Sequence, residues 1–248
     1  MSLPRWADVV AYEEGEQETL HAMSCGYPRF FLHPLYHQLR RTFAAAARPG
    51  EAVWVFPSAQ VAWACVAHVG AGRVATAGGG VALVLVPDAL QAKVKEFWQH
   101  TGMIVSSRLA DAILANRPAG SADALTRLRG LVAEYNGVGA DDIHLAPSGM
   151  GAIHQAHLAV TAVRAGHPVQ LGFPYIDTLK LLQKFGGGAY FPYNSADDIE
   201  PLAAAVGGGA VSAVFCEVPG NPLLRTIDLA RLCAILRPQG VPLVVDDT

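Results

Sequence analysis

Lysine and cysteine are both scarce in this sequence, four of each among 248 residues. No apolar run is long enough to cross a bilayer. The longest apolar-looking stretch, Leu202 to Val218, is interrupted by Gly207-Gly208-Gly209 and carries Glu217, so no transmembrane helix is expected. The cysteines, Cys25, Cys65, Cys216 and Cys233, are widely spaced and form no C-x-x-C pair. Buried thiols in a reducing compartment are the simplest account of them. Basic blocks are missing too. With a net charge of −3 and a pI near 6.3, nucleic acid and anionic membranes are not expected as partners. Met1 to Val10 contains Asp8 and no apolar h-region, so it reads as no signal peptide, and a cytoplasmic location is expected. His154 and His157 share a helix face, and His33 with His37 could, but no Cys, Asp or Glu at ligand spacing completes a metal site. Ser148 lacks the glycine pattern of a nucleophile elbow, which argues against hydrolase chemistry.

Apolar material is plentiful: 52% of the residues are hydrophobic and the mean hydropathy is +0.28. A sizeable core follows. Residues 1–20 are polar and acidic and read as an arm over a surface or a partner. Arg29 stands in the stretch Cys25 to Pro34 among aromatics, where it either stacks on a ring or reaches an anion. The helical Leu35–Ala47, the strand-like Ala52–Phe56, a helix through Val61, Cys65 and Val69, the strand-like Val81–Val86 and the helical Ala89–His100 make a βαβα pattern. A small parallel sheet is predicted there. Gly70-Ala71-Gly72-Arg73-Val74-Ala75 matches a dinucleotide fingerprint, with Asp88 beyond it. However, a helix precedes it and Gly78-Gly79-Gly80 would break any helix after it. Pro118-Ala119-Gly120 reads as a linker, dividing residues 1–117 from 118–248.

Beyond the linker, strands alternate with helices. The strands predicted are Ile143–Ala146, Val169–Gly172, Ala189–Tyr193, Val211–Glu217 and Pro242–Asp246, and Ser195 is read as the cap of the helix after the third. The fold class is therefore α/β, a mostly parallel sheet with helices on both faces, and ligands of such sheets sit beyond the strand carboxyl ends. At those ends lie Ser148-Gly149-Met150, Tyr175, Glu217 with Asn221, and Asp246 with Asp247. Ser148-Gly149-Met150 opens a helix, whose first N–H groups form either an anion site or an ordinary cap. Asp246 ends the apolar run Val244-Val245, and an acid there needs a cationic partner or a capping role.

Ser148-Gly149-Met150, Pro174-Tyr175-Ile176-Asp177-Thr178, Glu217-Val218-Pro219-Gly220-Asn221-Pro222 and Val244-Val245-Asp246-Asp247-Thr248 occur in the order and approximate spacing of the pyridoxal-phosphate enzymes of cysteine and methionine metabolism. Tyr27-Pro28-Arg29 resembles that family's Tyr-x-Arg element, and the head of the chain is most similar to the longer cystathionine gamma-synthases typical of fungi. The resemblance implies the large domain of a type I pyridoxal-phosphate transferase. It implies pyridoxal 5′-phosphate as cofactor, with its phosphate on Ser148, Gly149 and Met150. Tyr175 would stack on the ring in a catalytic position, Asn221 would reach the ring hydroxyl and Asp246 the ring nitrogen. Tyr27 and Arg29 would reach the phosphate of a neighbouring subunit, making a homodimer or homotetramer. The implied reaction is transsulfuration in methionine biosynthesis, joining an activated homoserine ester to cysteine. Three departures stand out. Ile176-Asp177 replaces the family's glycines, Asp246-Asp247-Thr248 replaces Asp-Asn-Thr, and the sequence stops at Thr248, short of the family's Schiff-base lysine. Lys93, Lys95, Lys180 and Lys184 are predicted to be helical surface charges, so the chain by itself is expected to be an inactive fragment. A cofactor-binding module without activity, and less so a nicotinamide oxidoreductase using Gly70 to Ala75, are the other readings.

Overall fold

Short polar residues cap five of the α-helices at their starts. Ser58, Ser106, Ser121, Ser148 and Asp228 each accept the backbone N–H three residues on, from Val61, Leu109, Ala124, Gly151 and Arg231, at 2.9–3.3 Å. The computed structural model describes residues 5–23, 26, 31–118, 120–193 and 198–248. They form two compact units, Met1–Pro147 and Ser148–Thr248. Among the described residues, no helix is long and apolar enough to cross a membrane.

The first unit runs α1 (Trp6–Glu13), α2 (Gln17–Ala22), α3 (Pro34–Thr42), β1 (Glu51–Phe56), α4 (Ala59–Val69), β2 (Arg73–Thr76), β3 (Ala82–Pro87), α5 (Gln91–Thr101), α6 (Ser107–Leu114) and α7 (Ala122–Asn136). Its sheet has the order β1-β3-β2 and is antiparallel throughout, which corrects the parallel sheet predicted from the βαβα pattern. The reason is β2, a four-residue strand with no buried residue and so no apolar signature. Gly72 lies where a Cβ would meet Val86 Cγ1 at 2.7 Å and the Leu85 carbonyl at 2.9 Å. Of the supposed fingerprint's glycines, Gly72 thus serves a close approach of β2 to β3, while Gly70 ends α4 in the left-handed conformation. The predicted strand Ile143–Ala146 does not form either. The Ile143 carbonyl accepts from Arg129 Nε of α7 at 3.1 Å, and no strand pairs with this segment among the described residues.

The free edge of β1 is covered by side chains of α3. The Tyr36 hydroxyl donates to the Val55 carbonyl and accepts from the Val55 N–H, both at 3.0 Å, while Arg40 Nε donates to the Val53 carbonyl at 2.6 Å and its guanidinium lies 4.6 Å from the centre of the Trp54 ring. Tyr36, Trp54 and Trp98 form a buried aromatic cluster with ring centres 6.2–6.5 Å apart. Burial pushes the Tyr36 phenol well above its ordinary pKa.

The second unit runs α8 (Gly149–Val163), β4 (His167–Leu171), α9 (Ile176–Gly186), β5 (Ala189–Phe191), α10 (Ile199–Gly207), β6 (Val211–Glu217), α11 (Leu229–Leu236) and β7 (Leu243–Asp246). The four strands are all parallel, in the order β5-β4-β6-β7. This is an α/β architecture with helices on both faces. On one face, Val169, Leu171, Val214 and Cys216 pack with Ile199 and Leu202 of α10 and with Leu232 and Leu236 of α11. On the other, Ala213 and Phe215 pack with Met150 of α8 and with Leu181 and Leu182 of α9. On α8, Leu158 is 51% exposed, whereas Met150, His154 and His157 are buried. The predicted cap Ser195 lies outside the described residues.

Two outcomes are expected. Replacing Tyr36 by Phe leaves two buried groups of Val55 unpaired and should cost about 2 kcal/mol in urea unfolding. Burial, with the nearby His157 charge adding to it, lowers the His154 pKa from its ordinary 6.5 to about 4. The unfolded chain therefore takes up a proton that the native state refuses. That stability is fully present above pH 6.5 and is lost as pH falls toward 4. A pH series of urea midpoints should show this decline, and His154→Leu should flatten it.

Candidate active site

The site is built where the strands of the second unit end. Ser148 precedes α8 in extended backbone, and its hydroxyl accepts the Gly151 N–H at 3.0 Å. The first intrahelical bond runs from Ala152 N to Ser148 O. The N–H groups of Gly149 and Met150 come before it, at the positive end of a helix of 15 residues. Met150 turns its side chain inward, and Thr178 Oγ1 of α9 lies 3.8 Å from its sulfur.

Tyr175 ends the loop after β4 and starts α9. Its ring is half-buried against the cluster of Met150, Leu181 and Phe215, so the aromatic face and the helix start are parts of one packed layer. The Tyr175 backbone is held by Glu217, a residue that the sequence places at a strand end without giving it a partner. Glu217 Oε2 accepts the Tyr175 N–H at 2.7 Å, and Oε1 accepts the Asn221 N–H at 2.9 Å. One carboxylate thereby ties together the loops that follow β4 and β6. The available signal is an acid on the last residue of a buried strand, directly before Val218-Pro219-Gly220-Asn221.

Asp246 pairs in register with Glu217 across the β6–β7 ladder. It is half-buried, not enclosed as the apolar run before it suggests, because β7 is an edge strand of the four. Asp246 Oδ1 accepts from the Thr248 N–H at 3.2 Å and from its hydroxyl at 2.6 Å. Asp246 lines a small cavity with Ile153, Gln170, Thr178, Cys216 and Glu217. A larger cleft of about 360 Å³ beside it is walled by Phe173, Tyr175, Ile176, Tyr190 and Asn221, and Pro174 and Glu217 line both. Ser148, Gly149, Met150, Tyr175, Asn221 and Asp246 all belong to this one unit. Tyr27 and Arg29 lie outside the described residues. Burial, with the charges of Cys233 and Asp246 adding to it, pushes the Cys216 thiol up to about 12, so it is not a nucleophile at neutral pH.

The Glu217 bonds set a clear expectation. Glu217→Ala strands two amides that a charged oxygen now receives, costing on the order of 2–4 kcal/mol. Hydrogen exchange at Tyr175 and Asn221 should accelerate more than at Leu171 in the core of β4.

A model of the fungal trans-sulfuration enzyme N-terminal domain matches residues 34–106, and a model of the Cys/Met metabolism PLP-dependent enzymes matches residues 126–248. An L-2-amino-4-chloropent-4-enoate dechlorinase/desaturase of Streptantibioticus cattleyicolor is 32% identical, covering all of this chain and 54% of that protein. An alanine racemase of Aspergillus violaceofuscus is 28% identical, covering all of this chain and 57% of that one. A cystathionine gamma-synthase of Neurospora crassa is 39% identical over 44% of this chain and 19% of its own length. The chain thus spans a little over half the length of the relatives that match all of it. With two family models matching consecutive stretches in order, the chain belongs to the pyridoxal-phosphate-dependent enzymes of cysteine and methionine metabolism.

Proposed function

We propose that this chain supplies the cofactor-binding part of a cystathionine gamma-synthase-like enzyme, one that replaces the gamma substituent of an activated homoserine ester with the sulfur of cysteine. The observation that carries the reading is the shared wall of Pro174 and Glu217 between the cleft of Tyr175 and Asn221 and the cavity of Asp246. An aromatic face and a neutral donor on one side of that wall, with an acceptor carboxylate on the other, support one flat ligand reaching all three. The match of residues 34–106 to a fungal trans-sulfuration domain favours this reaction over the others catalysed by similar proteins.

The residues present suit pyridoxal 5′-phosphate. The Gly149 and Met150 amides and the Ser148 turn would take its phosphate, because the start of α8 presents donors and positive potential to an anion. Tyr175 would lie against the ring, Asn221 would donate to the ring hydroxyl, and Asp246 would pair with the protonated ring nitrogen. When bound, the cofactor supplies an electron sink for the carbon bearing the amino group. The protein's part is orientation and charge: Asp246 holds a proton on the ring nitrogen, and Glu217 fixes the loop that carries Tyr175. Tyr27 and Arg29 would serve the phosphate of a second copy, an arginine fork being well matched to that group, so the working enzyme is a homo-oligomer.

Titration of the purified protein with pyridoxal 5′-phosphate, followed by absorbance and tryptophan fluorescence, tests this. Tyr175→Ala and Asp246→Asn should each weaken binding about tenfold or more, a loss of roughly 1.4 kcal/mol. Equal affinity in both variants and the unmutated protein would remove these residues from the site.

A further inference from the structure

Gln170 is a polar residue in the middle of a buried parallel strand. Val169 and Leu171 on either side of it face α10 and α11, while Gln170 lines the cavity under α8 and α9, where it is 1% exposed. Its Nε2 donates to the Leu171 carbonyl at 3.2 Å, and its Oε1 has no hydrogen-bond partner among the described residues. Leaving a buried amide oxygen unpaired costs on the order of 1–3 kcal/mol, which natural structures avoid by supplying a donor or a water.

Among the described residues, the side chains on this cavity offer few donors beyond the Gln170 amide itself and the weakly donating Cys216 thiol. Glu217 spends both oxygens on backbone amides, and the Thr178 hydroxyl is turned to the Met150 sulfur. Asp246 brings only acceptors, and Oδ1 takes both hydrogen bonds from Thr248, leaving Oδ2. Gln170, with its unpartnered Oε1, and Asp246 therefore line one donor-poor space of about 10 Å³, enough for one water. A water carries two hydrogens to give.

We propose that a single internal water in this cavity donates one hydrogen to Gln170 Oε1 and the other to the Asp246 carboxylate, which makes Gln170 a positioning residue for Asp246. The inference rests on the reading that Asp246 pairs with the cofactor's ring nitrogen, and it extends that reading one shell deeper into the sheet. A carboxylate that receives a hydrogen from behind is held in one orientation and stays ionised, and so keeps the ring nitrogen protonated. The other titratable groups on the cavity are Glu217 and Cys216. The thiol of Cys216 stays protonated, and α8 and α9 contribute Ile153 and Thr178, which do not titrate.

The test uses the full chain loaded with pyridoxal 5′-phosphate labelled at the ring nitrogen, whose chemical shift reports that nitrogen's protonation against pH. Gln170→Met keeps the side-chain length and removes the amide oxygen. It should lower the titration midpoint by about one pH unit, a tenfold change in the protonation equilibrium. Gln170→Glu puts a further negative charge behind Asp246 and should move the midpoint the other way. A purely structural role would change the urea midpoint and leave the nitrogen titration where it was. Unchanged titration in Gln170→Met, with a clear shift in Asp246→Asn, overturns the inference alone. No shift in Asp246→Asn removes the reading beneath it, and the inference goes with it. Should neither Gln170 variant fold, a high-resolution crystal structure of the unmutated protein decides: an ordered water between Gln170 and Asp246 supports the proposal, and a dry cavity overturns it.

Discussion

The carboxylate of Glu217 is the constraint on which the site depends. It stands on the last residue of β6, an inner strand of the sheet, so its position is set by the ladders to β4 and β7. From that fixed point it receives the N–H of Tyr175 at 2.7 Å and of Asn221 at 2.9 Å. Loops at the ends of parallel strands are ordinarily the most mobile part of such a unit, since they have few neighbours and many solvated amides. Here two of them share one anion. The charge makes each bond stronger than a neutral one, and the Tyr175 ring inherits the rigidity of the sheet through its own backbone.

The two faces of the sheet divide the work. The face under α10 and α11 is mostly hydrocarbon, with Leu171, Leu202, Leu232 and Leu236 at 0–1% exposure. The face under α8 and α9 carries His154, His157, Gln170, Asp177 and Thr178, all buried. Burying polar groups is costly unless each finds a partner, and most of the buried polar side chains of this unit are gathered under α8 and α9. An arrangement of this kind leaves stability to one side and lets the other hold shaped, polar cavities. It also explains why the buried histidines sit directly behind the turn of Ser148 and Met150, with His154 against Phe185 and His157 against Phe215.

Legibility in the sequence followed the same physical lines. Val211–Glu217 was readable as a strand to the residue, because a short, mostly apolar run rich in β-branched and aromatic residues lies between Gly209 and Pro219. The start of α8 was readable from Ser148 and its glycines. The first unit was misread where the signal was weak. β2 has four residues and none buried, so nothing marked it, and without it the order of β1 and β3 looked parallel. Ile143–Ala146 had the composition of a strand, but composition cannot supply the neighbouring backbone that a strand requires, and Arg129 takes the Ile143 carbonyl instead. Glu217 was visible as a strand-end acid, yet its partners are 42 and 4 residues away, and only the folded loops reveal them. Gln170 was hidden inside an apolar run.

Glu217 and Asp246 are Cα partners on adjacent strands, and two like charges so placed repel. Neither is in an ion pair among the described residues. Glu217 is compensated by two amides, and Asp246 by the N–H and hydroxyl of Thr248, all of them neutral donors. Dipoles of this kind solvate a carboxylate but do not cancel its charge, so the walls of the two cavities keep a negative potential. In a partly buried place that potential is weakly screened and favours a cation. The start of α8 carries the opposite sign, since the amides of Gly149 and Met150 bring the positive end of a helix. A ligand that is anionic at one end, flat in the middle and cationic at the other satisfies the helix start, the Tyr175 ring and Asp246 together.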